Sequence, residues 1–196
     1  MRRSFSGLLN EVLCVGHCSR SVRFLAIICL WCGVSTALSA NETTATDLAI
    51  GIRTIRFLRV APRDKVEIAV IYDGEDKAST DDARAILAWL DANKTIIGVE
   101  LVGRPLEVRG LDRMPQYAVA FVAANTNTQF FDSIHDFARH NGTLTLSSDL
   151  TCVHAGKCTL GVKSMPSVEI IVSYQEMKDS GIQFRQGFLM MVKGTD

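Results

Sequence analysis

The sequence predicts an α/β domain: a three-layer α/β sandwich with a mostly parallel sheet and an antiparallel edge. Two short apolar runs, Val66–Tyr72 and Tyr117–Ala123, have the length and side-chain composition of buried strands. Segments with apolar residues at helical spacing follow each of them. Strands that alternate with helices imply βαβ units, and such units build a parallel sheet that is covered on both faces.

The first part of the domain predicts two helices. One helix is expected over residues 46–60, and Pro62 is expected to stop it. Its apolar stripe consists of Leu48, Ile52, Ile55 and Leu58. The second helix is expected to begin at Asp81-Asp82, with acidic residues in its first turn, and to end near Asn93.

The middle of the chain predicts strands and a third helix. We expect a strand over residues 96–102, a turn at Gly103-Arg104-Pro105 and a short edge strand over residues 106–108. Thr126 is expected to cap a helix that closes at Asn141-Gly142, because glycine commonly follows a helix end.

The last part of the chain predicts three short strands in quick succession, over residues 143–146, 159–162 and 168–172. The last two are too close for a helical crossover, which indicates an antiparallel pair at one edge of the sheet. A short helix over residues 174–179 and a closing apolar segment over residues 184–192 complete the domain.

Residues 1–40 show the order of features of a secretory signal peptide. Arg20 and Arg23 provide a positive flank, residues 24–38 are apolar, and small residues follow. The apolar run is shorter than the roughly 20 residues that span a bilayer as a helix. We predict cleavage between residues 37 and 40, which leaves residues 41–196 as a single exported domain. An uncleaved anchor is the alternative.

Charge excludes one class of partner. The chain has 21 Lys and Arg residues and 21 Asp and Glu residues. The predicted leader contains four arginines and one glutamate, a net charge of +3, so its removal leaves the domain at −3. A mildly acidic domain lacks the clustered basic surface of nucleic-acid-binding proteins. We therefore expect no nucleic-acid partner, and contact with the membrane that is peripheral at most.

The domain keeps two of the six cysteines, Cys152 and Cys158. A close pair in an oxidising compartment favours a structural disulfide, and Gly156 allows a tight turn between the two residues. The alternatives are a redox switch and a metal site that includes His154. A fourth metal ligand is not evident in the sequence, so we expect no metal. We expect no other cofactor either.

Two further groups of polar residues have candidate roles. Arg53, Arg56 and Arg59 lie on one face of the first predicted helix and could meet an acidic partner or phosphate groups. The alternative is a solvated face with cations near the helix end. His135 and His140 lack the i, i+4 spacing of metal-binding helices, and we expect both at the surface.

The sequence contains no motif that indicates catalysis. A glycine-rich nucleotide loop, an EF-hand loop and a Gly-x-Ser-x-Gly or His-Glu-x-x-His motif are all missing. We expect a protein that is not an enzyme, and an enzyme with a dispersed site is the alternative.

Several segments together match a known pattern. They are the opening helix, Val66–Tyr72, residues 97–109, Tyr117–Ala123, residues 144–149, the Cys152/Cys158 loop, residues 168–172 and residues 181–191. With the export signal, they make the chain from Asp47 to Lys193 resemble the YfiR-like family of bacterial periplasmic proteins. Some members carry a second cysteine pair in the first half of the domain. This chain does not, which argues against a two-disulfide redox switch.

The resemblance implies a periplasmic, non-enzymatic regulator. Such proteins bind the periplasmic part of an inner-membrane signalling protein, typically a diguanylate cyclase of c-di-GMP signalling, and repress it. The family fold is an α/β sandwich that tends to form homodimers. By analogy, reduction of the disulfide would loosen both the fold and the repression.

We place the partner contacts on an exposed apolar patch. The candidate surfaces are the exposed face of the opening helix, with Arg53, Arg56 and Arg59, and the tail near Phe184 and Phe188.

A small-ligand-binding domain, resembling one lobe of a periplasmic solute-binding protein, is the alternative function. In a parallel α/β sheet the ligand crevice lies at the carboxyl ends of the strands. Those ends are predicted at Asp73-Gly74, Ala124-Asn125 and Ser147-Ser148. A single lobe would enclose a ligand poorly because it lacks a facing lobe.

Overall fold

The computed structural model describes residues 42–96, 98–113 and 115–196. The predicted signal peptide lies outside the described residues, so its existence and its cleavage stay predictions. No helix in the described part of the chain combines the length and the apolar character needed to cross a bilayer.

Within the described residues, seven strands form one sheet in the order β2-β1-β3-β4-β5-β6-β7. They are β1 (Lys65–Tyr72), β2 (Glu100–Glu107), β3 (Val119–Val122), β4 (Leu144–Ser147), β5 (Leu160–Lys163), β6 (Glu169–Ser173) and β7 (Lys193–Thr195). The helices in the described part of the chain are α1 (Ala45–Thr54), α2 (Lys77–Ala92), α3 (Phe131–Asn141), α4 (Leu150–His154), α5 (Tyr174–Asp179) and α6 (Gln186–Leu189). Short 3-10 turns lie at Ile55–Phe57, Val108–Arg113 and Thr128–Phe130.

The directions of the strands confirm the predicted fold class. From β2 to β5 all neighbours are parallel, β5 and β6 are antiparallel, and β6 and β7 are parallel to each other. The reversed edge therefore contains two strands, because β7 at the end of the chain pairs outside β6.

Alternation along the strands produces the three layers. In β1, Val66, Ile68 and Val70 face the cluster that contains α1 and α2, whereas Ala69 and Ile71 face the cluster that contains α3 and α4. Successive side chains of a strand point to opposite faces, so one apolar run supplies both cores.

Helix α1 begins where the sequence predicts and ends earlier. Thr44 caps it, and Asp47 completes a capping box by accepting a hydrogen bond from the Thr44 amide at 2.9 Å. The predicted continuation to residue 60 is wrong. After Thr54 the chain makes a 3-10 turn, and Leu58 leaves the helix to form a β-bridge with Phe184.

The predicted turn at Gly103-Arg104-Pro105 is also wrong, because β2 runs through all three residues. β2 lies at the edge of the sheet, where the missing amide of a proline is tolerated. A Cβ atom on Gly103 would lie 2.9 Å from Leu87 Cδ2 and 3.1 Å from Leu90 Cδ1. The glycine therefore serves the close approach of α2 to the sheet.

The start of α3 also differs from its prediction. Thr126 does not cap it. Its hydroxyl donates to Ala123 O at 2.8 Å, and Asn127 instead caps the 3-10 turn that leads into α3. The predicted end is confirmed, since Gly142 follows α3 in the left-handed conformation with a φ of 64°.

Cys152 and Cys158 form a disulfide with a Cα–Cα separation of 5.3 Å. Cys152 lies in α4, Cys158 precedes β5, and both side chains are buried. Gly156 turns the chain between them with a φ of 68°. The bond fastens α4 to the strand that it covers.

Replacing both Cys152 and Cys158 with alanine should lower the free energy of unfolding by about 2 kcal/mol, because the short loop is no longer closed in the unfolded chain. Urea denaturation measures the change. Reduction of the wild-type protein is the matched control and should give a similar loss, whereas the double variant should not respond to reductant. A double variant as stable as the oxidised wild type would contradict this role.

Candidate functional site

One surface joins the end of α1 to the tail of the chain. The residues around the Leu58–Phe184 bridge pair through their backbones: Arg59 N–H donates to Gln183 O and Arg185 N–H donates to Phe57 O, both at 2.8 Å. The arginines and the tail that the sequence proposes as separate contact surfaces therefore lie side by side.

The aromatic residues at this junction divide into buried and exposed members. Phe188 stacks on Phe57 with ring centroids 5.0 Å apart and packs against Phe184 at 4.9 Å. Phe184 and Phe188 are only 6% and 3% exposed, so they present little surface, and their role as partner contacts stays a prediction. They form an aromatic floor, and Phe57 lies on it with 37% of its surface exposed.

An apolar groove of about 260 Å³ lies over this floor, and its lining includes Phe57, Ile170, Phe188 and Met191. Met191 is 71% exposed. Arg53 stands at the same groove. Groups of exposed apolar side chains often mark interaction sites.

An arginine cleft of about 590 Å³ adjoins the groove at the 3-10 turn Ile55–Phe57. Its cationic lining residues are Arg56, Arg59, Arg63 and Arg185. Within the described ranges, none of these arginines forms an ion pair with a carboxylate, and neither does Arg53. We call the apolar groove and the arginine cleft together the docking surface.

The carboxyl ends of the parallel strands also meet, as the sequence predicts. β1 lies between β2 and β3, so the connections after β1 and β3 diverge at that point. Such a switch point is where ligands bind in open α/β sheets. The three predicted strand ends converge here. Ser79 Oγ accepts a hydrogen bond from Asp73 N–H at the end of β1. Asp82 and Thr43 together link Ala124, after β3, to Ser148, after β4.

Asp82 is the central group of this crevice and is only 4% exposed. Its carboxylate accepts hydrogen bonds from Ala124 N–H at 2.7 Å, Thr43 N–H at 2.7 Å and Thr43 Oγ1 at 2.8 Å. Ser148 Oγ lies 2.6 Å from Thr43 Oγ1. Burial raises the pKa of Asp82, although these donors oppose the shift. The chain's own residue Thr43 thus occupies acceptor positions of the Asp82 carboxylate.

The positive charge of Arg109, beside the crevice, is neutralised by carboxylates of the protein itself. Arg109 donates to Asp73 Oδ1 at 2.9 Å, pairs with Glu75 at 2.8 Å and lies 3.4 Å from Glu107. Its guanidinium also lies over the Phe130 ring, 4.9 Å from the centroid. Arg109 stands at a further cleft of about 750 Å³, but three carboxylates already surround its charge.

Of the two histidines predicted at the surface, only His140 is exposed. His135 is half-buried, and its Nδ1 contacts Glu176 Oε2. Glu176 is completely buried, and burial raises its pKa to about 7 although the contact with His135 opposes the shift.

Sequence reasoning missed Asp82 and Glu176 as buried groups. A signal for Asp82 exists, since it lies four residues before Ile86 and therefore on the apolar face of α2. No local pattern relates Glu176 to His135, because the two belong to different helices.

Comparisons with known proteins define the fold and no more. No protein-family model matches the chain, and no curated relative matches it. The chain is similar to a solved conserved domain protein from Vibrio cholerae O1 biovar eltor, with a TM-score of 0.59 and 11% identity over 76% of this chain and 60% of that one. It is also similar to an ABC domain from Streptococcus pneumonia in complex with L-Trp, with a TM-score of 0.53 and 9% identity over 76% and 61%.

The chain thus spans about three fifths of the length of these structures. At such low identity, the similarity establishes a three-layer α/β domain and carries no function with it.

Replacing Asp82 with alanine should lower the free energy of unfolding by about 1–3 kcal/mol, because Ala124 N–H loses its acceptor in a buried site. Urea denaturation with Asp76→Ala as a control measures this cost. Asp76 caps α2 outside the crevice, and its loss should cost about 1 kcal/mol.

The pH dependence of stability tests the state of Asp82. Its pKa in the folded protein is raised above the ordinary value of 3.8, so the folded state binds this proton more tightly than the unfolded chain does. The stability of the wild type relative to Asp82→Asn should therefore fall as the pH rises from the unfolded pKa to the folded one. Parallel curves for the two proteins would contradict the raised pKa.

Proposed function

We propose that this chain is an exported, non-enzymatic regulatory domain. It binds the periplasmic part of an inner-membrane signalling protein through the docking surface and represses it, and a diguanylate cyclase is the candidate partner. The observation that carries the proposal is the adjacency of the apolar groove and the arginine cleft on one surface.

The physical chemistry of this surface favours a protein partner. Interfaces combine an apolar centre with arginine and aromatic anchors, and Phe57, Met191 and the cleft arginines supply both. The groove is shallow, which suits protruding side chains better than an enclosed small molecule.

The charge of the cleft specifies the partner segment. Arg56, Arg59, Arg63 and Arg185 face the cleft without an ion pair among the described residues. A complementary segment carries apolar side chains for the groove next to Asp or Glu residues for the cleft. Arginine suits such contacts because its guanidinium can bind a carboxylate with two hydrogen bonds.

The crevice at the strand ends is less suited to be the binding site. Thr43 occupies the acceptor positions of Asp82, and three carboxylates neutralise Arg109. Binding there requires displacement of these groups, whereas the docking surface is open.

Affinity capture of the tagged protein from the envelope of its own host tests the proposal. We expect a membrane diguanylate cyclase to be captured. The variants Phe57→Asp with Met191→Asp, and Arg56→Glu with Arg59→Glu, should each weaken its binding by about 30-fold or more, because they remove anchors or reverse the charge.

Matched control variants lie outside the docking surface. Met165→Asp changes another exposed methionine, which is 67% exposed, and Arg139→Glu changes an arginine of α3. Both should leave binding unchanged. Capture that survives both docking-surface variants would place the partner elsewhere, and the lack of any captured signalling protein would contradict the regulator function.

Small-ligand binding is a second candidate function, and the 750 Å³ cleft favours it. Apolar side chains of Val108, Leu111, Phe130 and Phe137 contribute to its lining. Its volume suits a small metabolite. An amino acid with an aromatic side chain is a reasonable first probe, since the similar Streptococcus domain is in complex with L-Trp.

A thermal-shift screen of metabolites, with L-tryptophan included, separates the two functions. If the cleft binds a ligand, a hit should raise the melting temperature, and Phe130→Ala should abolish the rise whereas Phe57→Ala should not. A screen without a stabilising compound counts against ligand binding and leaves the regulator proposal intact.

A further inference from the structure

Three side chains of types that can bind a metal form a cluster that shares no residue with the docking surface or with the Asp82 crevice. His135 of α3 meets Glu176 and Asp179 of α5, and one potential ligand atom from each residue lies within 4.8 Å of the others. Glu176 and Asp179 are three residues apart, which places them on the same side of a helix. Two helices that are distant in sequence thus converge on one point.

The burial of Glu176 is the second observation that indicates a ligand. Its side chain is 0% exposed, and its Oε1 is buried without a hydrogen-bond partner among the described residues. A buried carboxylate oxygen that lacks a partner is costly. A cation at this point would satisfy it.

The surrounding contacts orient the cluster. Ser173 Oγ accepts from Glu176 N–H at 3.2 Å, and Ser180 Oγ donates to Glu176 O at 2.7 Å, so both ends of α5 are fixed. Gln175 Nε2 donates to the two carboxylate oxygens of Asp179 at 2.9 and 2.8 Å. Hydrogen bonds of this kind to ligating carboxylates are typical of metal sites.

We propose that His135, Glu176 and Asp179 bind a divalent transition-metal ion, with Zn²⁺ as the best fit. One imidazole and two carboxylates form a mixed nitrogen and oxygen set that suits Zn²⁺, and water would complete a four-coordinate site. Ca²⁺ and Mg²⁺ prefer sets made of oxygen alone. The bound ion fastens α5 to α3. This inference does not depend on the proposed function.

Isothermal titration of the purified full chain with ZnCl₂ tests the site. We expect one ion per chain at this site with micromolar or tighter affinity, and a higher melting temperature in its presence. His135→Ala and Asp179→Asn should each weaken binding by about tenfold or more. Mg²⁺ in excess should not compete.

Two histidines outside the cluster provide control variants for the zinc titration. His140→Ala removes an exposed histidine from the same helix, and His154→Ala removes the histidine beside the disulfide, so both should leave the affinity unchanged. Asp179→Asn keeps a side chain of the same shape at a half-buried position, which protects the test if His135→Ala fails to fold. Zinc binding that survives both site variants would place the ion elsewhere. If no zinc binds in the micromolar range, the metal site is contradicted, and the cluster is a histidine and a carboxylate that share a proton.

Discussion

The start of the described chain is held by two buried carboxylates, and the placement of α1 depends on them. Asp82 of α2 binds the amide and the hydroxyl of Thr43, and Asp47 of α1 accepts from Ser164 N–H at 2.6 Å. These bonds attach the beginning of α1 to α2 and to the end of β5. A buried carboxylate is stable only when its oxygens accept hydrogen bonds. The hydrogen bonds of Asp82 and Asp47 and the apolar packing of α1 therefore require the same placement of this helix. The docking surface lies at the other end of the same helix.

The docking surface combines two parts of the chain that are each incomplete alone. The 3-10 turn after α1 supplies Phe57 and Arg56, and the tail supplies Phe188, Met191 and Arg185. The Leu58–Phe184 bridge fixes the register between the two segments, and in this register the rings of Phe57 and Phe188 stack. An interaction surface built in this way is sensitive to the position of the backbone as well as to the residues that it exposes.

Local patterns predicted most of the fold, because buried strands such as β1 are almost purely apolar and α2 and α3 carry clear apolar stripes. The predictions failed where a tertiary contact overrides a local preference. Gly103 and Pro105 suggest a turn, yet they lie in an edge strand against α2. Phe184 and Phe188 could not be assigned to the core from sequence, because their neighbours come from the other end of the chain. The pairing of His135 with Glu176 likewise depends on the packing of two helices.

The bridge between Leu58 and Phe184 also has a consequence for the order of folding. The residues that it joins lie near opposite ends of the domain, so this contact closes a very long loop and carries a large entropic cost before it forms. The parallel strands β1, β3 and β4 and their helices can assemble before the tail arrives. The surface that we assign to partner binding needs both segments, so a chain whose tail is missing or has not yet emerged lacks it. Recognition by a partner would then distinguish finished molecules from unfinished ones, without a separate mechanism of quality control.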